Sequence, residues 1–110
     1  MPMQYGAFFP TRDMPADRVA IRDWAQAAEA LGFDYIEVSD HVLGADRDKI
    51  PGFEGPYDAD DSFHETFTTI AYMAAITENV GFASGVLILP QRQTALVAKQ
   101  AAQVDVLCGG

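Results

Sequence analysis

Basic residues are scarce: seven Lys and Arg stand against sixteen Asp and Glu, a formal charge of -9 over 110 residues. So acidic a chain repels phosphate backbones and anionic headgroups, which argues against nucleic acid and membrane surfaces as partners. Cysteine occurs once. Cys108 cannot close an internal disulfide, so nothing ties the protein to an oxidising compartment. No apolar run reaches bilayer-spanning length, and Met1 to Tyr5 lack the basic start and apolar stretch of a signal peptide. A cytoplasmic protein is the expectation. Also missing is a Gly-x-Gly-x-x-Gly turn after the first strand, where a dinucleotide-binding sheet would carry it. What remains is 49% hydrophobic and 21% charged, the make-up of one globular unit.

The pattern alternates between strand and helix. Gln4 to Phe9 is short, aromatic-rich and stopped by Pro10, as expected of a buried strand. Pro15 then opens a run in which Ile21, Trp24, Ala25, Ala28 and Leu31 recur at helical spacing, with Gly32 as the stop. Phe33 to Ser39 reads as a second strand. Val42 to Asp61 keeps no period and contains Gly44, Pro51, Gly52, Gly55 and Pro56, a loop long enough to suggest a role. Ser62-Phe-His-Glu65 matches a capping box, predicting a second helix to about Asn79 with Phe67, Ile70, Ala71 and Ala74 buried. Val80 to Leu89 reads as a third strand, and Thr94 to Leu107 as a third helix closed by Gly109-Gly110.

Three such units imply parallel strands with right-handed crossovers, either in a doubly wound sheet or in a (β/α)8 TIM barrel. Without the glycine-rich turn the barrel is favoured. A whole barrel takes roughly 250 residues. The expectation is therefore an α/β fold in which residues 1–110 are the amino-terminal three β/α units of a single barrel domain, truncated before a fourth strand.

Barrel chemistry gathers at the carboxyl ends of the strands, which here are Phe8 to Thr11, Asp40 with His41, and Ser84 to Pro90. His41 is the leading candidate, because imidazole can donate or accept a proton near neutral pH; the plain alternative is a hydrogen bond to a loop carbonyl. Asp40 is its orienting neighbour, a polar contact to a ligand, or a turn former. His64, in the expected first turn of the second helix, invites a metal site with Asp58, Asp60 and Asp61, but their spacing fits neither a barrel metallohydrolase nor a calcium loop. A solvated acidic loop is the simpler reading. Cys108 reads as a packed small residue. Gly85 inside a strand calls for either tight packing or the close approach of a flat ring.

Taken in order, Leu31-Gly-Phe-Asp-Tyr-Ile-Glu-Val-Ser-Asp-His41, Asp61-Ser-Phe-His-Glu-Thr-Phe67 with Ala71-Tyr-Met-Ala-Ala-Ile-Thr77, and Gly85-Val-Leu-Ile-Leu-Pro-Gln-Arg92 with Ala98-Lys-Gln-Ala-Ala and Asp105-Val-Leu-Cys-Gly-Gly110 resemble the luciferase-like monooxygenase superfamily, especially its deazaflavin-dependent branch. The resemblance implies a luciferase-like (β/α)8 barrel that binds the deazaflavin coenzyme F420, or FMN, and moves hydride or activates oxygen on a small organic substrate. It makes His41 the catalytic residue beside ring and substrate and Asp40 an acidic neighbour of the cofactor. Ser84, Gly85 and Val86 become the stretch behind the ring, with a non-proline cis peptide placed at Gly85 to Val86, and Phe8 and Phe9 become pocket walls. Where some deazaflavin dehydrogenases carry an aromatic residue soon after the histidine, Val42, Leu43 and Gly44 follow here, unlike the sugar-phosphate dehydrogenase subgroup. Two other readings are a metal-dependent barrel hydrolase built on His41 and loop carboxylates, and a non-catalytic half-barrel whose apolar third-strand edge pairs with another copy or a complementing chain.

Overall fold

The computed structural model describes residues 1–110 in the element order β1 (Gly6–Phe9), α1 (Arg18–Ala30), β2 (Tyr35–Val38), α2 (Thr66–Ala74), β3 (Gly81–Ser84), a short 3₁₀ turn (Leu89–Gln91) and α3 (Thr94–Cys108). All three strands run parallel in the order β1-β2-β3, with Gly6 opposite Tyr35 and Tyr35 opposite Gly81. Each crossover therefore steps to the next position in the same direction. That is barrel winding; a doubly wound sheet reverses direction at a switch point.

Strand alternation separates two faces. Ala7, Phe9, Ile36 and Val38 point to one side, where they form one core with Ala25 and Ala28 of α1 and Ile70 and Met73 of α2. Phe9 is fully buried and meets Trp24 edge-on, with ring centroids 5.3 Å apart at 86°, an arrangement that adds about 0.5–1.5 kcal/mol beyond area burial. The other face carries Gly6, Phe8, Tyr35 and Glu37 and has no helix over it. Phe8 is 58% exposed there.

Several element ends differ from expectation. α1 begins at Arg18, because the Asp17 carboxylate accepts the Val19 amide, and Pro15 lies in the preceding turn. The end at Gly32 is as expected: its φ of +83° lets its amide reach Glu29 and the Phe33 amide reach Ala28, a Schellman closure that favours a residue without Cβ. α2 is shorter than the capping box implies. Glu65, not Ser62, is the N-cap and accepts the Thr68 amide at 2.7 Å, and the helix closes at Ala74. His64 consequently precedes the helix. β3 stops at Ser84, because the chain leaves the ladder after the Gly85 amide has bonded the Val38 carbonyl and then turns into the 3₁₀ segment.

Candidate functional site

A cleft of about 360 Å³ opens at the carboxyl ends of β2 and β3. One wall is Ser39, Asp40 and His41, the next is Gly85, Val86 and Ile88, and the long loop closes over them with Phe53, Gly55, Pro56 and Tyr57. Residues distant in sequence thus share one space. The Gly85–Val86 peptide bond is cis, at the position expected from the sequence.

His41 is half-buried and held from several sides. Its Nδ1 lies 3.0 Å from the Asp40 carbonyl oxygen. A carbonyl only accepts, so Nδ1 carries the hydrogen and Nε2 is the nitrogen left to exchange a proton. The ring stacks on Tyr57 (centroids 4.3 Å apart, 24°) and meets Phe63 edge-on at 5.7 Å. Tyr57 is itself tied down: its hydroxyl is 2.7 Å from Ser39 Oγ, and Ser39 donates to Thr11 Oγ1 at 3.1 Å. Tyr57 adopts φ +67°, an uncommon value for a bulky residue that persists where surroundings over-determine it. The Asp61 carboxylate, which accepts both the Tyr57 and Asp58 amides, is one such constraint.

Asp40, read from the sequence as an orienting neighbour, a ligand contact or a turn former, is held by four hydrogen bonds from the protein. Its side chain is fully buried, and each carboxylate oxygen accepts twice. Oδ1 takes Thr66 Oγ1 at 2.9 Å and Arg92 Nη2 at 2.5 Å, while Oδ2 takes Arg92 Nε and the Ile88 amide, both at 2.9 Å. All four lone-pair sites of the carboxylate are thus engaged within the protein, which makes the side chain an internal anchor of the cleft wall. Burial pushes the Asp40 carboxyl up, but the Arg92 guanidinium, the Ile88 amide and the Thr66 hydroxyl outweigh it and hold it below the usual range. Arg92 is shifted upward, chiefly by its hydrogen bonds to Asp40, and also bonds Glu65 at 2.9 Å and lies over the Phe67 ring.

The remaining expected site residues divide by strand register. Gly85 continues the open face, where a Cβ would collide with the Glu37 carboxylate, so tight packing against Glu37 accounts for the glycine. Val86 is exposed at the cleft. Ser84 pairs with Val38, putting it on the helix side, where it lines a trough against Phe67 and Val104 instead of the cleft. Phe9 is corrected likewise: it is core beneath α1, packed on Trp24 and His64, and does not wall the pocket. Phe8 lies on the open face, beside Tyr57 and Arg12.

His64 donates from Nε2 to the Met14 carbonyl oxygen, 3.0 Å away. The acidic loop residues form turns. Asp58 accepts the Asp60 and Asp61 amides and pairs with Arg47, which holds its carboxyl below the usual range. No group of three or more His, Cys, Asp or Glu side chains is arranged to hold a metal ion. Cys108 donates to the Asp105 carbonyl at the end of α3.

Tyr57 and Arg92 were not singled out from the sequence. For Arg92 a signal existed, since it is the only Lys or Arg between Lys49 and Lys99, and a lone cation in an apolar stretch needs a buried partner. For Tyr57 there was none, because its part depends on how a twenty-residue loop folds back. No helix is long and apolar enough to cross a membrane. A comparison with curated proteins gives no match. The profile of luciferase-like monooxygenases matches residues 3–110, nearly the whole chain. With the parallel β/α units and the histidine at the end of β2, the chain belongs to the luciferase-like monooxygenase family.

Proposed function

We propose that the protein is an oxidoreductase that binds the deazaflavin coenzyme F420, with FMN as the alternative, in the cleft between His41 and Gly85–Val86, and acts there on a small organic substrate. The observation that carries this reading is the cleft itself, which the His41 imidazole shares with the Gly85–Val86 backbone and an apolar wall of Val86 and Ile88. A mostly apolar concave site with few convergent polar groups is what a flat heteroaromatic ring requires. When bound, the deazaflavin supplies hydride transfer, and a flavin can also activate oxygen.

The protein's share of the work falls to His41. Its Nδ1 is fixed by the Asp40 carbonyl and its face by Tyr57, so Nε2 can present a proton to a substrate oxygen or stabilise charge developing on it. Tyr57, Phe53 and Pro56 add an apolar side to the cleft from the long loop. Titrating the protein with each cofactor and following fluorescence quenching tests the proposal. Saturable binding of F420 is expected, binding of FMN alone transfers the function to the flavin, and binding of neither overturns it.

A further inference from the structure

We infer that Gln91 and Arg92 are positioning residues for His41: two consecutive side chains that fasten the backbone on either side of the histidine to the turn after β3. Arg92 grips the Asp40 carboxylate through Nε and Nη2, immediately before His41. Gln91 reaches the other side, its Oε1 accepting the Val42 amide at 3.0 Å and the Leu43 amide at 3.4 Å. Because His41 Nδ1 is bonded to the Asp40 carbonyl, fixing the peptide around residue 40 also sets the direction of the ring. The same Asp40 carboxylate holds the Ile88 amide, so both walls of the cleft are referred to one anchor.

The turn is preset to present these two side chains. Pro90 fixes its own φ inside the 3₁₀ segment, the Gln91 amide returns to Ile88, and the Arg92 amide returns to Leu89. Gln91 is exposed and adds little to the core, yet it uses only its acceptor oxygen on the loop after His41. Its contact therefore acts on the backbone after His41 and not on the packing of the core.

The importance of the clamp rests on the function proposed above, but its existence does not. The test compares Gln91→Leu, which removes the acceptor, with Gln91→Glu, which keeps it. The ring-proton NMR signals of His41 are read against those of His64, which sits on Phe9 away from the cleft. In Gln91→Leu the His41 signals should leave the position set by stacking on Tyr57 while His64 stays fixed, and Gln91→Glu should restore them. With the cofactor-loaded enzyme, kcat should fall about tenfold in Gln91→Leu at unchanged KM, since small misplacements of a reacting group are costly. Unchanged His41 signals, equal movement of His64, or a parental kcat would each overturn the proposal. Failure of either cofactor to bind would count against the proposed function alone and leave the ring signals to decide the clamp.

Discussion

Replacing Arg92 with Met should unfold the protein far more easily than an ordinary surface change. The Asp40 side chain has no exposed surface and that of Arg92 only 7%, so the substitution leaves a carboxylate buried with two of its four hydrogen bonds gone. Removing one partner of a buried ion pair costs about 3–5 kcal/mol. The contact of Arg92 with Glu65 adds little to this, since Glu65 is 40% exposed and rim pairs contribute roughly 0–1 kcal/mol. Against a domain stability of about 5–15 kcal/mol, the loss is a large share. Urea unfolding followed by Trp24, the single tryptophan and part of the core contact with Phe9, reads it directly. With a slope of roughly 2 kcal/mol per molar urea, the midpoint should fall by about 2 M. Exchanging both partners, in Asp40→Leu with Arg92→Met, should recover much of that, because a well-packed apolar pair can replace a buried ion pair. A loss below about 1 kcal/mol in the single variant, or strictly additive losses in the double, would refute the reasoning.

Three further outcomes follow from the same contacts. The Asp40 carboxyl is held below its usual range in the folded protein, so between the two values the unfolded chain binds more protons and stability rises with pH. Its contribution is complete above the ordinary carboxylate range, near pH 4, and is lost as pH falls through the lowered folded value; Asp40→Asn should flatten this part of the acid-unfolding curve. His41→Gln should cut turnover by about a hundredfold or more while cofactor binding changes little, general acid–base groups contributing roughly 10²–10⁴-fold, which steady-state kinetics beside a binding titration would show. A Cβ at Gly44 would run into the Asp58 backbone where the loop closes through the Ala45–Asp58 bridge. Gly44→Ala should therefore loosen the loop and speed tryptic cleavage after Arg47 and Lys49, and equal cleavage rates would count against the loop being held there.

The sequence made the strand and helix order legible because each element carries its own signal. Phe9 stops at Pro10, the Trp24–Ala25–Ala28 stripe repeats at helical spacing, and Gly32 ends the helix by adopting positive φ. His41 could be placed in the same way, since a position at the end of a parallel strand follows from the pattern alone. Asp40 could not be read so well. Its carboxylate binds Arg92, Thr66 and Ile88, residues 26 to 52 positions away, and local pattern holds no information about such partners. The faces of Phe8, Phe9 and Ser84 were the other limit. Adjacent strand residues point in opposite directions, and the register that sends Phe9 and Ser84 to the helix side is set by pairing with β2. Glu65 displaced Ser62 as the cap because His64 is held back by Phe9 and Met14, which delays the first helical turn.

The most direct test of the central claim is an amide NMR map of the protein titrated with F420. The largest shifts should cluster at His41, Tyr57, Gly85, Val86 and Ile88, around the cleft at the ends of β2 and β3. Shifts concentrated instead in the trough of Phe67, Ser84 and Val104, or the absence of any saturable change with F420 or FMN, would contradict it.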